Sequence, residues 1–246
     1  MVKFTMFSTK VIAAVAVTAL FSSCNAKIDL GGGIDGNGNV TTQKREVLGN
    51  FSKIDVERGL NVTVEQAETY FVEVEADENL QSHIQTNVLN GTLLITTDEN
   101  IDEAAAKNIR VKMPALSSVE TSSGSSVTSL GTIKGNNISV DVSSGSRAEL
   151  DLEYDSITCE SSSGSSVNLK GKALKLNTDS SSGSQIEARD LLVNDVISES
   201  TSGSSTQVHP LVSLNGKASS GSSVSYSGTP KTVSKNESSG GSVSKE

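Results

Sequence analysis

Serine is the residue type that first suggests chemistry in this sequence. There are 43 serines in 246 residues, and 38 of them fall in residues 117–246, most in a recurring Ser-Gly motif. A serine hydroxyl becomes a nucleophile only beside a base that a third group orients. The chain has two histidines, His83 and His209. Seven copies of the motif cannot share them, so the motif reads as structural. A second candidate is Asp35-Gly36-Asn37-Gly38-Asn39. Asp35, Asn37, Asn39 and Glu46 fall at the first, third, fifth and twelfth places of a calcium loop, where hard oxygen ligands wrap the cation. The sixth place, which needs glycine for its turn, is Val40, and turn residues in a tether account for the same letters. A third candidate is a set of acids at similar repeat positions: Asp141, Glu160, Asp179 and Glu199. Polysaccharide lyases and hydrolases need converging acids with a cation or metal, whereas a stripe of one sign reads first as a solvated face. Tyr70, Tyr154 and Tyr226 are too few and scattered for a sugar-stacking platform. Two cysteines and two histidines do not build a four-ligand zinc site on their own. No catalytic residue, cofactor or metal is expected beyond that weak calcium pattern.

The charge balance narrows the partners. Lys and Arg number 20 against 29 Asp and Glu, giving a net charge of −9, and aromatics are 3% with no Trp. Phosphate affinity needs clustered Lys and Arg, and bases need stacking platforms, so nucleic acid is excluded.

The N-terminus reads as an address. Lys3 and Lys10 precede Val11 to Phe21, an 11-residue stretch in which Thr18 is the only polar residue. About 20 apolar residues are needed to span a bilayer as a helix, so residues 1–23 read as a secretory signal peptide. Leu20-Phe21-Ser22-Ser23-Cys24 resembles a bacterial lipobox, in which cleavage precedes a cysteine that is then lipidated. The usual leucine three places before the cysteine is here Phe21. Lipidated Cys24 leaves Cys159 alone, so no disulfide within the chain is expected. Residues 24–44 carry five glycines between Gly31 and Gly38 and read as a flexible tether. More than one acyl chain on Cys24 would anchor the chain stably to a membrane.

The serines hold a period. The motif centres on Gly124, Gly145, Gly164, Gly183, Gly203, Gly221 and Gly240, spaced 21, 19, 19, 20, 18 and 19 residues apart. Seven residues upstream of these glycines stand mostly Ile, Leu and Val; three downstream, mostly Val, Ile and Ala. Positions five and three upstream share their parity, Cys159 among them. Even spacing is strand spacing with one face inward. A single repeat cannot bury a core, but stacked repeats can. Strands bonded rung to rung at about 4.8 Å give a parallel β-helix. The serines on both sides of each glycine take the inward parity and are expected as hydroxyl ladders at a narrow corner. Glycine supplies the backbone freedom there. His209-Pro210 is expected in a loop. In the last repeat the inward positions hold Lys235 and Glu237, which read either as a polar cap against end-to-end stacking, as solenoids require, or as a frayed end that pairs with a partner; the cap is the favoured reading.

The first half alternates in the same way at Ile54 to Val56, Leu60 to Val64, Phe71 to Glu75, Leu93 to Thr97 and Ile109 to Met113. Gly59 and Asn90-Gly91 mark turns. Asp77 to His83 and Ile101 to Asn108 are expected as short helices. No linker separates the halves, so residues 45–246 form one all-β domain.

Arg45-Glu46-Val47, Phe51 to Val56, Val62 to Gln66, Val72 to Leu80, Asn90 to Ile95 and the Ser-Gly repeats carry a resemblance. In that order they resemble the exported Bacteroidetes family described as "putative auto-transporter adhesin, head GIN domain". The resemblance covers residues 45–246. It implies a single-stranded right-handed parallel β-helix and an adhesive role, and it brings no catalytic residues. The expectation is therefore a non-catalytic lipoprotein of the outer membrane or cell surface, or one facing the periplasm. Its ligand would be a glycan or a protein surface, and its oligomeric state is left open. A carbohydrate-active β-helix enzyme would need three or more acids and a Lys or Arg in one groove. A scaffold assembling end to end is the other alternative.

Overall fold

The structure, a computed structural model, describes residues 32–246. The signal peptide, Cys24 and residues 25–31 lie outside the described residues. In chain order the strands are β1 (Val40–Arg45), β2 (Lys53–Val56), β3 (Asn61–Gln66), β4 (Phe71–Asp77), β5 (Ile84–Leu89), β6 (Thr92–Thr97), β7 (Lys107–Met113) and β8 (Ser118–Thr121). They continue as β9 (Ser126–Val142), β10 (Arg147–Ser161), β11 (Ser166–Ser180), β12 (Gln185–Ser200), β13 (Ser205–Ala218), β14 (Ser223–Tyr226), β15 (Thr232–Glu237) and β16 (Ser242–Lys245).

From β8 onward each strand pairs in parallel with the next coil, giving an all-β parallel solenoid. The repeat columns stack as the period requires. Ile157 sits in register between Ile138 and Leu176, and Cys159 between Val140 and Thr178. Ile138, Ile157, Leu176, Val196 and Leu214 are all buried. One narrow core of Val, Ile and Leu thus runs along the axis, and its stability comes from stacking neighbours rather than from any single coil.

Each coil is closed by a tight turn at the Ser-Gly motif. In Ser162-Ser163-Gly164-Ser165 the central residues have φ of 54° and 70°, and the Ser165 N–H donates to the Ser162 carbonyl at 3.2 Å. Two central residues at positive φ make this a type I′ turn. Corner stacks on corner: the N–H of each glycine from Gly124 to Gly221 donates to the carbonyl of the serine before the next glycine, at 3.1 Å in all six cases. The serine after the glycine is buried from Ser125 to Ser222, and from Ser165 onward it braces two coils. Ser165 Oγ donates to the Val142 carbonyl of the preceding coil at 2.7 Å and accepts from the Ser162 N–H at 3.1 Å. Ser184, Ser204 and Ser222 repeat both bonds. The serine before the glycine does not join this ladder, contrary to the expected parity. Ser123, Ser144, Ser163, Ser182, Ser202, Ser220 and Ser239 are exposed, because the positive-φ turn rotates the first central residue outward.

The coil extends upstream of the serine repeats. Arg58 and Gly59 have φ of 59° and 72°, and β2 and β3 pair in parallel with β8 and β9 across that corner. The β2–β3 coil stacks in turn on β6 and β7. Beyond it the ladder turns antiparallel, with β5 on β6, β4 on β7 and β1 on β4.

Three expectations change. Asp77 to His83 holds only a 3-10 turn at Glu78–Leu80, and Ile101 to Ala106 is irregular, leading into β7 at Lys107. Both stretches are too short to nucleate a helix unaided, and the sheet takes their neighbours. Residues 33–44, read as tether, dock on the body. Val40 to Arg45 pairs with β4, and Ile34 bridges Ile101. Buried Asp77 holds this segment, accepting the Gly38 N–H at 2.7 Å and the Ala106 N–H at 2.9 Å. Those donors hold its carboxyl below the usual range. At Gly36 any Cβ would run into the Asp77 carboxylate, so this glycine serves close approach rather than flexibility. Finally, His209-Pro210 lies inside β13 and not in a loop. β12 carries extra residues against β13 at this point, between Ala188 and Leu192. Such a bulge is where a strand tolerates proline, which has no N–H to give the ladder.

Candidate functional site

The solenoid positions two lateral features. The first is an open groove of about 650 Å³ crossing β9 to β13. Its floor is Gly135–Tyr154–Ala173, part of a register column that continues as buried Val193 and Pro210. One bank begins as Lys134–Glu153–Lys172, with both lysines 3.0 Å from the glutamate. These donors depress the Glu153 carboxyl. The other bank carries the residues that follow the floor column in sequence, among them Asn136, Asp155 and Leu174. Gly135, with no side chain, seats the aromatic ring of the next coil. The Tyr154 ring lies over it, so close that a Cβ on Gly135 would meet Cε1 at 2.5 Å. The Tyr154 hydroxyl donates to the Leu116 carbonyl at 2.6 Å, and burial pushes its pKa up to about 12. Further along, Leu174, Leu192 and Leu211 are 51%, 44% and 44% exposed and line the groove on successive coils. The sequence did carry a signal for these leucines. Ala173-Leu174 and Leu191-Leu192 are adjacent apolar pairs, and alternation forces one member of such a pair outward; in Leu211-Val212 both are exposed.

The second feature is an acidic column. Asp141, Glu160, Asp179 and Glu199 are register neighbours, and the structure adds Asp55 and Glu120 at its start. Six carboxylates therefore repeat at one coil spacing along an outer face. Like charges directly opposite destabilise a sheet. Half-buried Asp55 bears the cost most visibly: burial first, then Glu57 and Glu120, push its pKa up to about 6. Lys217 ends the run by pairing with Glu199. A depression of about 260 Å³ beside it gathers Asp179, Glu199 and Lys217, two acids rather than three.

The other sequence candidates are scattered. Gly124, Gly145, Gly164, Gly183, Gly203, Gly221 and Gly240 all hold positive φ at the corners. Around the calcium-like pattern, Asn39 donates to Glu78 at 2.8 Å, Asn37 accepts from the Asn39 N–H at 3.0 Å, and the Asp35 carbonyl accepts from Asn79 at 2.8 Å. Glu46 is exposed past the end of β1. Among the described residues no three His, Cys, Asp or Glu side chains gather as a metal set. His83 Nδ1 lies 2.8 Å from Asp98 and holds that carboxyl low. His209 Nδ1 lies 3.1 Å from the Arg189 carbonyl. Cys159 is fully buried, and burial raises its thiol pKa well out of the reactive range.

The architecture recurs in solved structures. A "putative adhesin" of Bacteroides fragilis superposes with a TM-score of 0.82 at 20% identity, over 87% of this chain and 100% of its own. A "putative lipid binding protein" of Parabacteroides distasonis gives 0.71 at 19% identity, over 87% and 99%. A "putative adhesin" of Parabacteroides merdae gives 0.70 at 20% identity, over 87% and 98%. At these identities the likeness is one of fold. No curated protein matches the chain. Residues 50–230 match the family model "Putative auto-transporter adhesin, head GIN domain", and with that match, on top of the corner-stacked solenoid, the chain belongs to this family.

Proposed function

We propose that this chain is an exported, non-catalytic binding protein that holds its partner along the side of the solenoid. The observation that carries the reading is the set of Leu174, Leu192 and Leu211, exposed on successive coils with Leu192 on one bank and Leu174 and Leu211 on the other, over a groove floored by Tyr154 and Ala173. Aliphatic side chains held rigidly on both banks of a groove favour a polypeptide partner with apolar side chains over a glycan, which would ask for exposed aromatic platforms. The family description as an adhesin supports the same reading. So does the use made of the corner serines, whose inner hydroxyls from Ser165 to Ser222 are spent on turn and coil bonds. A second reading is an acyl chain in this groove, favoured by the aliphatic lining and by the fold neighbour described as a "putative lipid binding protein". A carbohydrate-active enzyme is disfavoured by the straight run of the acids, which follow one face instead of surrounding a cleft.

The anchor belongs to the proposal too. Lipidated Cys24 would tether the domain to the outer membrane or cell surface, or facing the periplasm, through residues 25–32. Cys24→Ser is expected to move the protein from the detergent phase to the aqueous phase of a Triton X-114 partition. An unchanged partition contradicts lipidation. The binding role is tested with purified residues 24–246 on a panel of matrix proteins and a glycan array, alongside a polysaccharide-turnover assay. Saturable binding without turnover is expected. Turnover abolished by Asp179→Asn or Glu199→Gln would replace the reading with an enzyme.

A further inference from the structure

The C-terminal edge of the solenoid carries a built lid. In the inner coils the two inward positions before each corner hold small or β-branched residues, such as Val140 and Val142, Thr178 and Ser180, or Gly216 and Ala218. In the last coil they hold Lys235 and Glu237. The structure does not turn these side chains away from the core. Lys235 Nζ donates to the Val243 carbonyl at 2.7 Å, and Glu237 Oε1 accepts the Val243 N–H at 2.6 Å.

The direction of those bonds matters. Ser242 and Glu246 donate their N–H groups back to β14, to the Ser222 and Tyr226 carbonyls at 3.1 and 3.0 Å. Backbone groups alternate in direction along a strand, so Val243 points its N–H and C=O away from β14. In any inner coil those groups would bond the next coil. Here one side chain supplies the donor and the other the acceptor. The lid also seals the core. Val243 is 2% exposed although it lies in the outermost strand. Its methyls press on Gly216, where a Cβ would sit 2.8 Å from Cγ1. The Lys235 stem crosses above, with its ammonium 5.6 Å from the Tyr226 ring centre.

We propose that Lys235 and Glu237 close this edge against a second copy of the chain, so that the solenoid does not extend end to end and meets partners through its sides. An uncovered sheet edge above an apolar core invites pairing. A lid that satisfies the Val243 backbone groups and covers the core there weakens both attractions at the middle of the last strand. At the other end the antiparallel strands β1, β4 and β5 replace the coil ladder.

Two measurements test this on residues 24–246. The first is sedimentation equilibrium of the protein and of Lys235→Val with Glu237→Val, over a hundredfold concentration range, with circular dichroism to confirm the strand content. The protein is expected to stay monomeric, and the apolar double variant to associate at concentrations at least tenfold below any at which the parent does. A folded double variant that stays monomeric overturns the proposal, as does a parent that associates through this edge. The second needs no fold-threatening change. Amide exchange at Val243 is expected to be at least tenfold slower than at Lys245, which faces the same way two residues on. Glu237→Gln is expected to keep that protection and Glu237→Ala to lose it. Equal exchange at Val243 and Lys245 in the parent shows that the lid is open and overturns the proposal.

Discussion

At the scale of the residue, the structure divides serines that look alike in sequence. Within Ser181-Ser182-Gly183-Ser184, Ser182 is an exposed residue at positive φ, and Ser184 is a buried brace with two bonds. Ser184→Ala leaves the Ser161 carbonyl of the neighbouring coil without its hydroxyl donor, and should cost about 1–3 kcal/mol in urea unfolding. Gly183→Ala meets no atom within 4 Å, yet φ is 69°. Its cost should be about 1–2 kcal/mol, purely conformational. Asp55 makes a pH prediction. Its folded pKa of about 6 lies above the ordinary 3.8. Below about pH 4 the proton is bound in both states and the group carries no penalty. As pH rises to 6 the unfolded chain releases the proton first, so stability falls. Asp55→Asn should therefore be more stable than the parent at pH 7, by about 1 kcal/mol once solvent screening of the half-exposed group is allowed for. The gap should close by pH 4. An equal gap at both pH values, read from urea midpoints, would remove the acidic column as its cause.

At the scale of the element, the groove depends on one exchange between neighbouring strands: Gly135 gives the space that Tyr154 fills. Gly135→Ala should push the ring off its seat and cost about 1–3 kcal/mol. Tyr154→Phe keeps the shape but leaves the Leu116 carbonyl unpaired, for about 1–2 kcal/mol. Calorimetry of the two variants separates packing from hydrogen bonding. This scale also shows how far the residues could be read in advance. The inward columns were legible because identical offsets from seven glycines repeat the same parity. The coil of β2 and β3 was not, although Gly59 keeps the same columns as Gly124: Ile54, Val56 and Val62 match Val119, Thr121 and Val127 in register. Six strands, β3 to β8, lie between the two corners in the chain, so the spacing jumps from about 20 residues to 65 and the period is lost. The outward serine was missed because parity counting assumes extended backbone, which a positive-φ turn breaks. The docked glycine segment was missed because its partner, Asp77, lies 39 residues from Gly38. The groove was legible only as adjacent apolar pairs, with no motif to mark them.

At the scale of the whole molecule, the stacked columns turn a local repeat into long uniform faces. One carries acids, one carries exposed leucines over a groove, and the corner carries serine hydroxyls. Nearest-neighbour stacking makes the coil stiff along its axis, and the lid at Val243 together with the antiparallel strands at the other end turns its contacts sideways. A rigid face with a pre-formed groove lined by leucines loses little entropy on docking, which suits a protein that must hold rather than transform its partner. The central claim is that the partner is held at the leucine-lined groove. The most direct measurement is the affinity of residues 24–246 for whichever panel ligand binds saturably, compared with Leu174→Asp combined with Leu192→Asp, and with Asp141→Asn combined with Glu160→Gln as a control on another face. The leucine variant, with its strand signal and unfolding midpoint retained, should bind at least tenfold more weakly, while the control binds as the parent does. Unchanged affinity in the folded leucine variant, or a loss confined to the acidic one, would contradict the account.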